Sequence, residues 1–317
     1  MRELLIFEPT VKNYIWGNEY WTVSAHPHGD DIVRCGTYKG EHLSSLWADH
    51  RELFGNLQGE SFPLLVKKID SRDDLSIQVH PDNEYARVHE NGSYGKTECW
   101  YVIDAKPGGT IIVGHNAKTR EELKDMIYNG RWKELLKEFP VKKGDFFQIV
   151  PGTVHAIKNH TVIMEIQQNS DITYRLYDYD RVMASPEGGK PKPRPLHLEK
   201  SIDVITVPHK ASEWNTAGEG QETGVHSASA DTAGKAADVK SAAESRLVSC
   251  EYYTVDKYDI EGMREFSQDR PFEIVSVIGG EGDIDGTELR EGDSLIVPFG
   301  YGSYRISGKV SVLITGV

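Results

Sequence analysis

Between residues 62 and 167 the chain is a succession of short runs rich in β-branched and aromatic residues, separated by turn-forming Gly, Pro, Asn and Asp. They are Phe62–Ile69, Leu75–His80, Cys99–Ile103, Gly109–Gly114, Asp145–Val150 and Thr161–Gln167. Runs this short are strands, and strands in such succession fold into a sandwich or a barrel. Two stretches interrupt them with helical spacing. One covers about 42–55, where Leu43, Leu46, Trp47 and Phe54 share a face and Gly55 is a C-terminal stop. The other covers about 119–139. It opens on the capping box Thr119-Arg120-Glu121-Glu122 before Leu123, Met126 and Ile127, and Gly130 ends its first helix. A second short helix is expected to carry Trp132, Leu135, Leu136 and Phe139. Helices that interrupt strands without alternating with them exclude a Rossmann or (β/α)8 architecture. The fold class is mainly β with helical insertions.

An internal repeat divides the chain. Gly144-Asp145-Phe146-Phe147-Gln148-Ile149-Val150-Pro151-Gly152-Thr153-Val154-His155 and Gly292-Asp293-Ser294-Leu295-Ile296-Val297-Pro298-Phe299-Gly300-Tyr301-Gly302-Ser303 both read as a Gly-Asp turn, an apolar strand, then Pro and Gly. The first copy ends on a histidine and the second on Ser303, so only the first can hold a metal at that position. From Asn215 to Ala243 large apolar residues almost vanish, and a stretch that buries so little surface reads as a flexible linker or insertion. The expected division is therefore a catalytic domain over 1–214, a polar linker over 215–245, and a smaller C-terminal β domain over 246–317 lacking metal ligands.

The 317 residues carry 36 Lys and Arg against 49 Asp and Glu, a net charge of −13. That balance argues against a nucleic-acid partner, which leaves a basic footprint. It does not argue against a small anion, because a local cation cluster binds one whatever the total charge; the 215–243 stretch alone holds four acidic residues against two lysines. No apolar run reaches the roughly 18–20 residues of a membrane span. The charged N-terminal segment does not resemble a signal peptide. Cys35, Cys99 and Cys250 are odd in number and far apart, so the expected location is a reducing cytoplasm. Oligomeric state and the groups that would meet a phosphate are not legible.

The residues that carry chemistry lie on three segments. Gln78 and His80 are two apart in a strand and share a face. Glu98 precedes the apolar strand 100–103, and His155 follows the Pro151-Gly152 turn. Gln, His, Glu and His make a mixed N/O set suited to a divalent ion, with positions left for water or substrate oxygens. Singly, each would more often be a surface or capping polar group; their order along barrel-like strands is what raises the set above that.

The runs Gln78-Val79-His80-Pro81-Asp82-Asn83-Glu84-Tyr85-Ala86, Gly95-Lys96-Thr97-Glu98 and Pro151-Gly152-Thr153-Val154-His155-Ala156 resemble the type I mannose-6-phosphate isomerases in their short bacterial form. So do Trp16-Gly17, Val23-Ser24-Ala25-His26-Pro27, Phe62-Pro63-Leu64-Leu65-Val66-Lys67 and Gln168-Asn169-Ser170-Asp171-Ile172-Thr173-Tyr174-Arg175. The resemblance runs from residue 7 to about 210 and resumes weakly after 250. It implies a cupin-type jelly-roll barrel, one bound zinc, and interconversion of mannose 6-phosphate and fructose 6-phosphate. It places Gln78, His80, Glu98 and His155 as zinc ligands, Arg175 and Lys96 in the active site, and Glu165 as a further active-site carboxylate. Longer members of the family have a histidine and a proline around the active-site lysine where this chain has Gly95-Lys96-Thr97, so a mechanism leaning on that histidine is not available here.

Aldose–ketose isomerisation through a cis-enediol(ate) needs a proton carrier and a cation for the developing oxyanion. Arg175 offers a guanidinium that keeps its proton, and Lys96 or Glu165 could shuttle one; sequence does not choose between them. Without the resemblance, Arg175 reads as a surface ion-pair partner of Asp171 or Asp178 and Lys96 as a solvated loop lysine. His26, His28, His89, His115 and His160 show no partner spacing and read as structural or solvated. Two other readings stand beside the isomerase: another metallo-cupin enzyme, and a non-catalytic sugar-phosphate-binding protein.

Overall fold

The computed structural model describes residues 3–183, 190–210 and 244–317. The proposed linker over 215–245 lies outside the described residues except at its end, where Glu244–Ser249 is already a strand. The described residues form two compact units, each mainly β. One takes residues 9–30, 62–183 and 190–210; the other takes 3–8, 31–61 and 244–317.

In the first unit, a six-stranded antiparallel sheet runs in the order Phe146–Ile149, Glu98–Ala105, Thr161–Gln168, Leu64–Ser71, Gly17–Val23, Thr10–Tyr14. A five-stranded sheet runs Leu136–Pro140, Thr110–His115, His155–Ile157, Ile77–Val79, Tyr174–Tyr177. Period-2 alternation assigns the faces. Ile77, Val79, Ala156, Tyr174 and Leu176 pack with Leu123, Met126, Ile127 and Ile202 of the helices Arg120–Tyr128 and Leu198–Val204. Trp100, Val102, Phe147 and Ile163 of the six-stranded sheet pack instead with Ile111, Val113 and Ile157 of the other. Gln78, His155 and Arg175 alternate with the helix-facing residues, so they point toward the six-stranded sheet. Each fully buried large apolar side chain on these faces contributes roughly 1.5–3 kcal/mol.

The helix Arg120–Tyr128 starts where the sequence places it: Thr119 accepts the Glu122 N–H at 3.1 Å. The Glu122 carboxylate closes the box one residue early, on the Lys118 N–H at 2.7 Å. The second helix of that insertion stops at Leu135, and Leu136–Pro140 pairs with Thr110–His115. Leu136 and Phe139, expected on a helix, are strand residues. A free edge of the five-stranded sheet outcompetes a short segment's helical spacing. Two helices carried no sequence expectation, Asn83–His89 and Leu198–Val204.

The second unit is an eight-stranded sheet in the order Glu244–Ser249, Thr254–Ser267, Ser303–Gly316, Phe272–Ile284, Ser294–Pro298, Leu5–Glu8, Ile32–Val33, with Thr287–Arg290 paired to Phe272–Ile284. Leu5 and Ile6 pair with Ile296 and Leu295. Residues 3–8 and 31–61, including the helix Leu43–Asp49, group with the C-terminal residues, whereas the division expected from the sequence counts them with 1–214. Strand pattern shows that Leu5–Glu8 is extended, but not which sheet edge it joins.

The internal repeat is a structural one. Gly144 and Gly292 both take positive φ, 91° and 96°. Asp145 and Asp293 each close their turn with a carboxylate that accepts a backbone N–H three residues back, from Lys142 and Arg290. The copies part at their ends, where His155 is buried and Ser303 exposed. No described helix is long and apolar enough to cross a membrane.

Candidate metal centre and active site

Three residues from two sheets converge inside the first unit. Glu98 opens its strand in the six-stranded sheet, His155 opens its strand in the five-stranded sheet, and His80 follows the strand Ile77–Val79. All three side chains are essentially inaccessible, with residue exposures of 0%, 0% and 1% for Glu98, His155 and His80. His80 Nδ1 lies 2.7 Å from the Ile172 carbonyl and His155 Nδ1 lies 2.8 Å from the Thr153 carbonyl. A carbonyl only accepts, so each Nδ1 carries the proton and each Nε2 presents a lone pair. Burial holds both imidazoles neutral: it lowers His155 to about 4 and His80 well below the ordinary histidine range, with the Lys96 ammonium adding to both.

The two Nε2 atoms are 3.1 Å apart with no proton to share. Glu98 puts Oε1 3.4 Å from His155 Nε2 and Oε2 3.5 Å from His80 Nε2. The Lys96 ammonium answers Oε2 and His80 Nε2, whereas Glu98 Oε1 accepts no hydrogen bond and His155 Nε2 faces only acceptors, a set of buried lone pairs that a second cation would satisfy. Spacings near 3–3.5 Å suit donors about 2.0–2.2 Å from one ion, so this group could hold a divalent metal. Gln78 sits directly opposite His155 on one side and Arg175 on the other, which puts its amide on the same face.

A second row of charge crosses the six-stranded sheet beside this group. Trp100, Glu165, Lys67 and Trp21 are register partners on four adjacent strands. Glu165 Oε2 accepts from Trp100 Nε1 at 3.0 Å, and its Oε1 lies 3.0 Å from Lys67 Nζ and 3.7 Å from Lys96 Nζ. Lys67 also reaches Glu19 at 3.6 Å, whose carboxylate accepts the Trp21 indole N–H at 2.7 Å. Lys96 Nζ stands 2.6 Å from Glu98 Oε2 and 3.3 Å from His80 Nε2. Burial pushes Glu165 up, but the ammonium groups of Lys67 and then Lys96 outweigh it and hold the carboxylate at about 2. Burial and the neighbouring Glu165 carboxylate push Glu98 up. With all three carboxylates ionised, two ammonium groups face them, so the site is one positive charge short of neutral until Glu98 takes a proton or a cation joins it.

A cavity of about 290 Å³ opens beside these groups and is lined by Gln78, Lys96, Lys67, Glu165, Asp171 and Arg175 among others. All four residues expected to bind metal thus lie together or, for Gln78, on the adjoining cavity wall, and Arg175, Lys96 and Glu165 share that cavity. Arg175 is not the surface ion-pair partner of its bland reading. Its Nε donates to Ser76 Oγ at 3.2 Å and its Nη1 to the Pro195 carbonyl at 3.0 Å. Asp178 is taken by Arg181 and Arg194. Lys96, read without the resemblance as a solvated loop lysine, is 4% exposed. His26 and His28 are not without partners: both meet the Asp171 carboxylate, 143 residues from His28 in sequence. Lys67 is the chief omission. Its signal was a lysine in the apolar run Leu64–Ile69, at a strand position whose period-2 neighbours Leu65 and Ile69 are both buried.

Gly152 fixes the turn that delivers His155. It has φ +81°, its N–H donates to the His80 carbonyl at 3.0 Å, and a Cβ there would meet Thr206 Oγ1 at 2.5 Å and the Val204 carbonyl at 2.8 Å. Gly152→Ala should cost about 1–3 kcal/mol through the left-handed backbone and the clash. It should also weaken metal binding, because it shifts His155 against His80. Thermal denaturation and a metal titration of the variant check both; unchanged metal affinity would show that the turn does not set the ligand's position.

Comparison with known proteins places this geometry. The family model described as phosphomannose isomerase type I, catalytic domain, matches residues 8–97, and that described as mannose-6-phosphate isomerase, cupin domain, matches 243–316. The chain is 43% identical over 333 residues to the mannose-6-phosphate isomerase ManA of Bacillus subtilis, covering 99% of this chain and 98% of that one. It is also 43% identical over 336 residues to the mannose-6-phosphate isomerase of Streptococcus mutans, with the same coverage of 99% and 98%. The crystal structure of a mannose 6-phosphate isomerase from Bacillus subtilis superposes with a TM-score of 0.86 at 37% identity, covering 99% of each chain. The resemblance therefore spans the whole chain and does not weaken to a remnant after 250.

Proposed function

This chain belongs to the type I mannose-6-phosphate isomerase family, and we propose that it interconverts mannose 6-phosphate and fructose 6-phosphate through a cis-enediol(ate), with one zinc held by Gln78, His80, Glu98 and His155. The observation that carries the metal is the convergence of two Nε2 lone pairs and the Glu98 carboxylate, whose Oε1 accepts no hydrogen bond, in a fully buried site. A zinc ion there would supply positive charge beside the reacting oxygens and lower the energy of the oxyanion that develops on them.

The chain's own groups handle the rest. In the aldose-to-ketose direction the C2 proton is delivered to C1, and the O2 hydroxyl proton moves to O1. The Lys96–Glu165 pair, 3.7 Å apart and on the cavity wall, carries these protons: an ionised carboxylate to receive one and an ammonium to give one to oxygen. Lys67 keeps Glu165 ionised. Arg175 is held by neutral acceptors, so its full charge remains for the substrate.

The test is direct. The metal-replete protein should convert mannose 6-phosphate to fructose 6-phosphate, a chelator should stop it, and added zinc should restore it. Absence of turnover in the metal-replete sample would overturn the isomerase reading and favour a sugar-phosphate-binding protein.

A further inference from the structure

The cavity has basic groups that neither the metal centre nor the proton carriers use. Arg194 and His197, from the segment that follows the described strand Lys192–Pro193, line it together with Arg175 and Ser76. Each is fixed in a way that leaves a donor unspent. Arg194 directs Nε to Asp178 Oδ2 at 2.7 Å and Nη2 to Asp178 Oδ1, so Nη1 lies outside the fork. Arg175 uses Nε and Nη1 on Ser76 and Pro195, leaving Nη2. His197 Nδ1 accepts the Arg175 backbone N–H at 3.1 Å, which makes Nε2 the protonated nitrogen and therefore a donor. Among the described residues none of these three remaining donors has a protein acceptor.

The charge is unbalanced in the same direction. Asp178 answers both Arg181 and Arg194, and Arg181 has the exposed Asp73 besides at 3.6 Å. Arg175 has no ion pair among the described residues; the neighbouring Arg194 and Arg181 repel it, and Asp178, which both of them hold, attracts it from a distance. Of the carboxylates that line the cavity, Glu19 and Glu165 are paired with Lys67, and Asp171 is engaged by His26 and His28. Ser76 precedes the strand Ile77–Val79 and lies two residues before Gln78, about 6.6 Å from it along an extended chain, so the Arg175 Nε held on Ser76 Oγ lies beyond Gln78 from His80.

We propose that Arg194 and His197, with the free edge of Arg175, form the subsite for the substrate's phosphate monoester and make the enzyme selective for a phosphorylated sugar. Guanidinium and imidazole donors arriving from separate chain segments fit the several oxygens of a tetrahedral dianion, and guanidinium edges are suited to such oxyanions. Which sugar carries the phosphate rests on the isomerase reading; the anion subsite does not.

The experiment compares wild type with Arg194→Met and His197→Ala. For mannose 6-phosphate, kcat/KM should fall about 10- to 100-fold in Arg194→Met, mostly through KM, since a charge-assisted hydrogen bond of roughly 1.5–3 kcal/mol is lost. Turnover of unphosphorylated mannose, measured at high concentration, should change less than about twofold. Inorganic phosphate should bind the metal-loaded wild-type protein by calorimetry and bind both variants more weakly. Equal losses on mannose and mannose 6-phosphate, or unchanged phosphate binding, would overturn the proposal. Calorimetry needs no turnover, so an inactive wild type that still binds phosphate through Arg194 would fail the isomerase reading alone. If Arg194→Met does not melt cooperatively, His197→Ala and Arg194→Lys read the same titration without removing the charge that Asp178 faces.

Discussion

Glu98→Gln is expected to abolish stoichiometric metal binding and lower isomerase turnover by about 10³-fold or more, while making the metal-free protein about 1–3 kcal/mol more stable than the metal-free wild type. The two effects oppose each other because the same carboxylate serves the metal and burdens the empty fold. In a fully buried site its Oε1 accepts no hydrogen bond and its Oε2 has only the Lys96 ammonium. With it, three carboxylates face two ammonium groups; without its charge, Glu19 and Glu165 balance Lys67 and Lys96. Glutamine keeps the volume, and its amide can donate to the Nε2 of His80 or His155, 3.5 and 3.4 Å from the present oxygens. Lys96 loses its 2.6 Å partner but keeps Glu165 at 3.7 Å. Metal content after dialysis and thermal denaturation in chelator test the two halves separately. A variant that still holds one metal per chain would remove Glu98 from the ligand set. A metal-free variant less stable than wild type would make Glu98 chiefly the ion-pair partner of Lys96.

What the sequence made legible and what it did not follow from the range of the forces involved. Alternation and turn chemistry are local, so six strands of the first unit, from Leu64–Ser71 to Thr161–Gln168, could be read before the fold was known, as could the Thr119 cap; Thr10–Tyr14, Gly17–Val23, His155–Ile157 and Tyr174–Tyr177 were not. His80, Glu98 and His155 could be singled out because each sits at a strand end, marked by residue type and order. Lys67 could not, because its meaning lies in cross-strand register: only the pairing of Glu165 with both Trp100 and Lys67 turns a lysine in an apolar run into a buried ion-pair partner. Arg194 and Asp178, or His28 and Asp171, likewise meet only after the sheets have closed. The helix Asn83–His89 had a readable cap in Asp82, which accepts the Tyr85 N–H at 2.8 Å. It buries only Ala86, so it lacks the apolar stripe by which a helix is usually recognised.

Lys67→Met is expected to cost about 3–5 kcal/mol, the range for removing one partner of a buried charge pair, and to lower turnover as well. Lys67 is 4% exposed and its Nζ lies 3.0 Å from Glu165 and 3.6 Å from Glu19, themselves buried. Methionine has similar length and no charge, so cavity formation contributes little and the loss reports the stranded carboxylates. The pH dependence identifies the cause. Glu165 titrates near 2 in the folded protein, below the ordinary value of 4.5, chiefly because of Lys67 against the opposing effect of burial. A depressed folded pKa means that the unfolded chain binds more protons between those values. The stabilisation is therefore complete above about pH 4.5 and is lost as pH falls toward 2. Without Lys67 the pull on Glu165 weakens and burial carries its pKa upward, so the stability lost to Lys67→Met should be largest near pH 7 and shrink as Glu165 protonates in the variant. Denaturant melts at pH 7 and pH 5 measure this difference. A loss that stays the same at both would mean that Lys67 acts through packing on Trp21, whose ring centroid is 5.4 Å from its ammonium, and that Glu165 is kept ionised by Lys96 alone.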